Sequence, residues 1–211
     1  MVVVGTCFIS YRANSIAIQY NSIAQMQLDI SKAENQPSFL ISCAVEEDLK
    51  GNEKGNHVVY ISNEGSSCDN IRIETACFVN VTSSIDYSVF ESTFTVKDFY
   101  WVREWTGNKK GLLCRISCEG NWERFSELYF DALNDENTNS SVSIELYARI
   151  IYQDIFGEEH INYYSINNLK QHWLTQEDGE KIFKKYNEEP NELSIDELTW
   201  QEVSRILFEE L

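Results

Sequence analysis

The rhythm of apolar positions changes once along this chain, near Pro37. Before it, Ile16, Ile23 and Ile30 stand seven residues apart, with Ala17 and Ala24 beside them, inside two consecutive heptads, Asn14–Tyr20 and Asn21–Gln27. A seven-residue repeat sets these isoleucines along one stripe of a helix. The pattern predicts a helix over residues 11–34, ended by Asn35-Gln36-Pro37 because the residue before proline resists helical angles. Tyr20 and Gln27, the other seam positions, make the stripe weak. A lone helix this polar is marginal in water, so the stripe calls for a partner helix or another surface.

After Pro37 the period falls to two. Phe39, Ile41, Cys43 and Val45 read as one strand face, and His57–Ser62 as the next strand, turned by Asn63-Glu64-Gly65. Ile71, Ile73, Thr75, Cys77, Val79 and Val81 form a face opposite Arg72, Glu74 and Asn80. Phe94–Trp105 and Gly111–Cys118 read as a pair joined by the glycine-containing loop Thr106–Lys110. Val142, Ile144, Leu146, Ala148, Ile150 and Tyr152 give the clearest alternation, which Ile155–Glu159 turns back into His160–Ile166. One stretch breaks the pattern: Trp122, Phe125, Leu128, Tyr129 and Ala132 recur at helical spacing, predicting a short helix over 121–133 with Asn121 as its cap. Near the end, Thr175 with Asp178 starts one helix. Ser194 with Glu197, a capping box stapled by Leu193 and Leu198, starts another.

These elements predict a mainly β protein with flanking helices. Its body would be an antiparallel β-sandwich, Ig-like or similar, preceded by the heptad helix and followed by C-terminal helices. Residues 1–36 then hold an apolar stub and the helix, residues 37–169 the sandwich with its inserted helix, and residues 170–211 an acidic helical segment.

Composition narrows the function classes. With 211 residues, 43% of them hydrophobic and 13% aromatic, the chain has enough apolar surface for one sizeable core and is not a disordered segment. A net charge of −17 argues against direct nucleic-acid binding, which draws on a basic footprint, and repels an anionic membrane surface. From Glu177 to Leu211 eleven acidic residues face four basic ones. That balance reads first as a solubilising surface. Its functional alternative is an acidic decoy of phage or plasmid type that imitates DNA and captures a basic partner, although Lys181, Lys184, Lys185 and Arg205 interrupt the carboxylates. Cysteines at 7, 43, 68, 77, 114 and 118 fall within apolar alternation, where a free thiol behaves as a small hydrophobe. With no signal peptide in view, they are expected to be reduced and the chain cytoplasmic. Met1–Ile9 (MVVVGTCFI) is apolar but about half as long as a spanning helix needs. The chain therefore reads as soluble, and the stub as the remnant of a spanning helix, a buried strand or an interfacial anchor.

Motifs of chemistry are weak, and no catalytic, metal or cofactor-binding residue is assigned. Cys114 and Cys118 mimic a ligand pair, but four residues of strand span roughly 13 Å, too far for one zinc ion. Ile182–Leu198 resembles an EF-hand loop lacking one residue and the turn-forming glycine. Among His57, His160 and His172 none has a triad context. Asp154 and His160 can approach across the Phe156-Gly157 turn, which a surface hairpin explains. A hydrolase or metal-dependent enzyme would need a pocket gathering Asp154, His160 or Glu104. Of the clustered aromatics Phe99, Tyr100, Trp101 and Trp105, core packing or helix cover accounts for most. Trp101 and Trp105 remain as a candidate partner surface.

Together NSIAIQYNSIAQMQ, NQPSFLIS, VVYISNEGSSCDNIRIETACFVNV and IIYQDIFGEEHINYY resemble a diffuse group of uncharacterised bacterial proteins. In that group a short membrane-spanning segment precedes a heptad helix and a sandwich-like domain. The resemblance covers residues 10–167, implies membrane proximity, and supplies no catalytic residues to carry over. The chain departs from it in the shortness of its apolar start. The expected function is a non-enzymatic interaction or scaffold module without cofactors. It would self-associate or dock a protein partner through Ile16, Ile23 and Ile30, in the cytoplasm or at the cytoplasmic face of the inner membrane.

Overall fold

The two longest alternations become the two longest strands and pair with each other. In the computed structural model, which describes residues 2–46, 56–85, 88–166 and 172–208 (side chains of the first helix from residue 17), they are β3 (Asp69–Ile85) and β7 (Asn139–Gln153). Their antiparallel register sets Ile73 against Ile150, Thr75 against Ala148, Cys77 against Leu146, Val79 against Ile144 and Val81 against Val142. Both apolar faces thus point to one side of the sheet, the arrangement that period-two patterning demands.

The remaining elements are α1 (Val2–Glu34), β1 (Phe39–Glu46), β2 (Asn56–Asn63), β4 (Ser88–Val96), β5 (Val102–Trp105), β6 (Gly111–Ser117), α2 (Asn121–Asn134), β8 (Glu159–Ser165), β9 (His172–Leu174), α3 (Gln176–Glu188), β10 (Glu192–Leu193) and α4 (Trp200–Phe208), with a 3-10 turn at Ile195–Glu197. Four strands form a sheet in the order β1-β2-β6-β5, and six form a second in the order β10-β4-β3-β7-β8-β9. One buried cluster joins them: Phe39, Ile41, Val59, Ile61 and Ile116 from the first sheet with Ile73, Val79, Phe94, Leu146, Ile150 and Tyr164 from the second. Phe125 and Leu128 of α2 and Val203 and Leu207 of α4 extend that cluster. The protein is mainly β, with two sheets and flanking helices. All described strand pairs are antiparallel except β10 with β4.

The other face of the six-stranded sheet carries its own small core. Ala76, Phe78 and Tyr163 meet Phe183 of α3, with Tyr147, Leu174, Ile182 and Tyr186 packed around them. Contact is close enough that a Cβ on Gly179 would lie 2.1 Å from Tyr163 Cγ, so only glycine lets α3 sit this near the sheet.

Several expectations need correction. Phe94–Trp105 is not one strand: β4 ends at Val96, Asp98 adopts a left-handed φ of 55°, and β5 restarts in the other sheet. The bend exists because Phe99 and Tyr100 both turn inward, and because the Asn121 side chain donates to the carbonyls of Asp98 (3.3 Å) and Phe99 (2.8 Å). Asn121 is therefore not the cap of α2; left-handed Gly120 occupies that position. Tyr129 lies off the buried face of α2 and is exposed. The Ser194 N–H donates to the Glu197 carboxylate at 2.9 Å, but the box closes the 3-10 turn, and α4 starts separately after Thr199, whose Oγ1 accepts from Glu202 N–H. The Thr175 cap is formed: Asp178 N–H donates to Thr175 Oγ1 at 3.1 Å. The C-terminal segment also contributes strands, since β9 extends β8 and β10 lies beside β4.

Candidate interaction site: the N-terminal arm and its joint

α1 is 33 residues long, and every described residue from Ala17 to Ile30 is exposed. It starts well before residue 11, so the apolar stub is helical from Val2 and is no strand. Ile23 is 52% and Ile30 57% exposed, and Ile18, Tyr20, Met26 and Leu28 are exposed around them. Ile16 lies in the same helix, its side chain outside those described. This stretch thus leaves a run of large apolar side chains in water. Even so, among the described residues no helix is long and apolar enough to cross a membrane.

Among the described residues, α1 is attached at its last turns and at the link to β1. Asn35 closes the helix by donating from its side chain to the Ser31 carbonyl at 2.8 Å, and Pro37, buried, prevents continuation. Residues 36–38 are then held by the β2–β3 turn. Asn63, fully buried, accepts at Oδ1 from Ser38 N–H (3.1 Å) and Gly65 N–H (3.0 Å), and donates through Nδ2 to the carbonyls of Ser66 (2.6 Å) and Lys109 (3.0 Å). Glu64 N–H donates to Ser38 O and Ser66 N–H to Gln36 O, while a Cβ on Gly65 would meet Gln36 O at 2.5 Å. The joint is thus closely hydrogen-bonded where the arm is bare.

A second anchor comes from the β7–β8 hairpin. Lys32 donates to Glu158 Oε1 at 2.5 Å and lies 5.9 Å over the Phe156 ring. The hairpin itself is organised by Asp154, whose Oδ1 accepts from Phe156 and Glu158 N–H, each at 2.9 Å, and whose Oδ2 lies 2.9 Å from His160 Nε2. Burial pushes the Asp154 carboxyl up, but the His160 bond and the two N–H groups outweigh it and hold it below the usual range. His160 stacks on Tyr152, which packs edge-on against Phe39 of β1. Asp154, Glu158 and His160 do offer three ligand atoms within 4.8 Å of one another. In this structure Asp154 is engaged by the turn's N–H groups and by His160, and Glu158 Oε1 by Lys32. Glu104 is not with them; it stands on β5, 3.4 Å from Arg115.

The aromatic candidates separate. Trp101, 56% exposed, follows the β4–β5 bend and lines a cavity of about 690 Å³ with Asp98, Glu119, Glu123, Arg124 and Asp196. Trp105, 47% exposed, ends the edge strand β5 and is not among that cavity's lining residues. The sequence pattern did not reveal the carboxylates around Trp101, because they come from three separate segments. Arg124 already pairs with Asp196 at 3.0 Å.

The other singled-out groups lie apart from the arm. His57 is buried, stacks on Trp122 and lies 2.8 Å by Nδ1 from the Tyr100 hydroxyl; burial lowers its pKa to about 4. Cys43, Cys68, Cys77, Cys114 and Cys118 are free thiols, and burial pushes the pKa of each upward. Residues 190–193 of the EF-hand-like stretch run into β10, and Asn191 is drawn to β4 by its carbonyl, which accepts from Thr95 N–H. Acidic side chains of α3 and α4 are partly neutralised within their own helices: Glu177 by Lys181 at 2.6 Å, Glu202 by Arg205. No family model and no curated protein matches the chain.

Proposed function

We propose that this protein is a non-enzymatic interaction module, in which a β-sandwich body, Ig-like or similar, presents α1 as a binding arm. The observation that carries this reading is the unbroken exposure of α1 from Ala17 to Ile30, combined with a fixed joint at its base. Asn63, which orders its own turn and the Lys109 loop, also accepts from Ser38 N–H, and the same turn bonds Gln36 and Ser38 through their carbonyls, so the base of α1 is tied into the body. The arm's apolar content gives a partner something to bury, and the rigid joint sets the angle at which the body is held. Ile16, Ile23 and Ile30 form the contact stripe, with Trp101 and Trp105 as a secondary surface on the body. The apolar start of α1 and the resemblance to membrane-tethered bacterial proteins favour a place near the inner membrane, with the acidic body held off the anionic lipid.

The test replaces Ile16, Ile23 and Ile30 together by serine in the full chain. Association should fall, read both as mass by light scattering and as retention of host proteins on the immobilised chain, while the β signal in circular dichroism stays. If mass and retention both remain at wild-type level, α1 is not the contact element.

A further inference from the structure

We infer that the partner covering the α1 stripe is a second copy of this chain, the two arms packing side by side along the positions of Ile16, Ile23 and Ile30; this rests on α1 being the contact element. Three observations favour that occupant. First, Val2 and Ile9 continue the same spacing, so five β-branched residues stand seven apart in one uninterrupted helix. A period of 3.5 suits another helix winding alongside, and neither a sheet nor a flat surface calls for it. Second, no charged residue occurs between Ala13 and Leu28, in a chain whose net charge is −17. A basic partner finds no carboxylate to pair with on that stretch. Two acidic copies, by contrast, can meet there without bringing like charges together. Third, the length suffices. At about 1.5 Å per residue the helix runs roughly 50 Å, and a contact strip about 10 Å wide covers about 500 Å² on each arm. The total, about 1,000 Å², stands at the lower limit of a specific interface and implies a concentration-dependent pair rather than an obligate one.

Sedimentation equilibrium of the full chain, from about 1 to about 100 μM, tests it. The mass should rise from one chain towards two across that range, and the double variant Ile23→Ser, Ile30→Ser should weaken the pairing at least about tenfold with the body's β signal unchanged. In a Cys7→Ser background, Ile23→Cys should cross-link under mild oxidation much faster than Gln25→Cys, which lies on the opposite side of the helix. A single-chain mass at every concentration overturns the second copy. If that monomer still retains a different protein, or vesicles of neutral lipid, in a manner that Ile23→Ser abolishes, the arm survives as the contact element and only the occupant is wrong. A dimer indifferent to the seam variants, cross-linking no faster at 23 than at 25, overturns both.

Discussion

The arm and the body use the same kinds of apolar residue and arrive at opposite results. In the body, Phe94, Ile150 and Tyr164 are wholly buried because alternation on two sheets and two helices converges on one core. In α1 the isoleucines recur just as regularly, yet Ile23 and Ile30 stay in water because, among the described residues, no element lies opposite them. Regular spacing therefore specifies a face, and only topology decides whether the chain supplies its cover. Hydrophobic burial stabilises the body from within; the described part of the arm has no such cover and is held at its joint.

The largest expected effect comes from setting one core position against one arm position. Phe94→Ala should cost about 3–5 kcal/mol in urea unfolding, whereas Ile23→Ala should change the unfolding of the isolated monomer by no more than about 0.5 kcal/mol. Equal losses would mean that α1 packs on its own body.

A second contrast is in pH. His57 titrates near 4 when folded and near 6.5 when unfolded, so between those values the unfolded chain holds the extra proton and stability falls as pH falls. The loss should reach about 3 kcal/mol by pH 4 and flatten below it. His57→Gln should remove that slope from the body's unfolding curve; an unchanged slope would place the titration elsewhere.

Smaller effects concern the joint. Asn63→Ala orphans the N–H groups of Ser38 and Gly65 and the carbonyls of Ser66 and Lys109, and should cost about 1–3 kcal/mol by urea unfolding. Lys32→Ala should leave global unfolding unaltered, since its pair with Glu158 is solvent-facing. It should nonetheless broaden the distribution of distances between labels on α1 and on the β7–β8 hairpin. A narrow distribution in the variant would assign the arm's angle wholly to Asn63 and Gly65.

Legibility in the sequence followed the same division. Strands β1, β3 and β7 were readable because each carries a stretch of period-two alternation, β2 and β8 because a turn signal bounds them, and the end of α1 because Pro37 marks it. The start of α1 was not, since a short apolar run such as Met1–Ile9 reads equally as the remnant of a spanning helix, a buried strand or an interfacial anchor. The bend at Asp98 was hidden because it uses neither glycine nor proline; Asn121, more than twenty residues onward, supplies the clamp. β10 has two residues, too few for any period. Burial of Phe78 under α3 had a faint signal in the run Ala76-Cys77-Phe78-Val79, apolar on both faces, which half-exposed strands do not show. Of the candidate site, the spacing of the isoleucines was legible and the joint was not, because Asn63 reads as an ordinary turn residue until its partners from separate segments are seen.

Hydrogen exchange on the dilute monomer tests the division between arm and body most directly. The account predicts fast exchange of the amides from Asn14 to Ile30, beside strong protection in β3 and β7. Arm amides as slow as those of β3 and β7 in the monomer would contradict it.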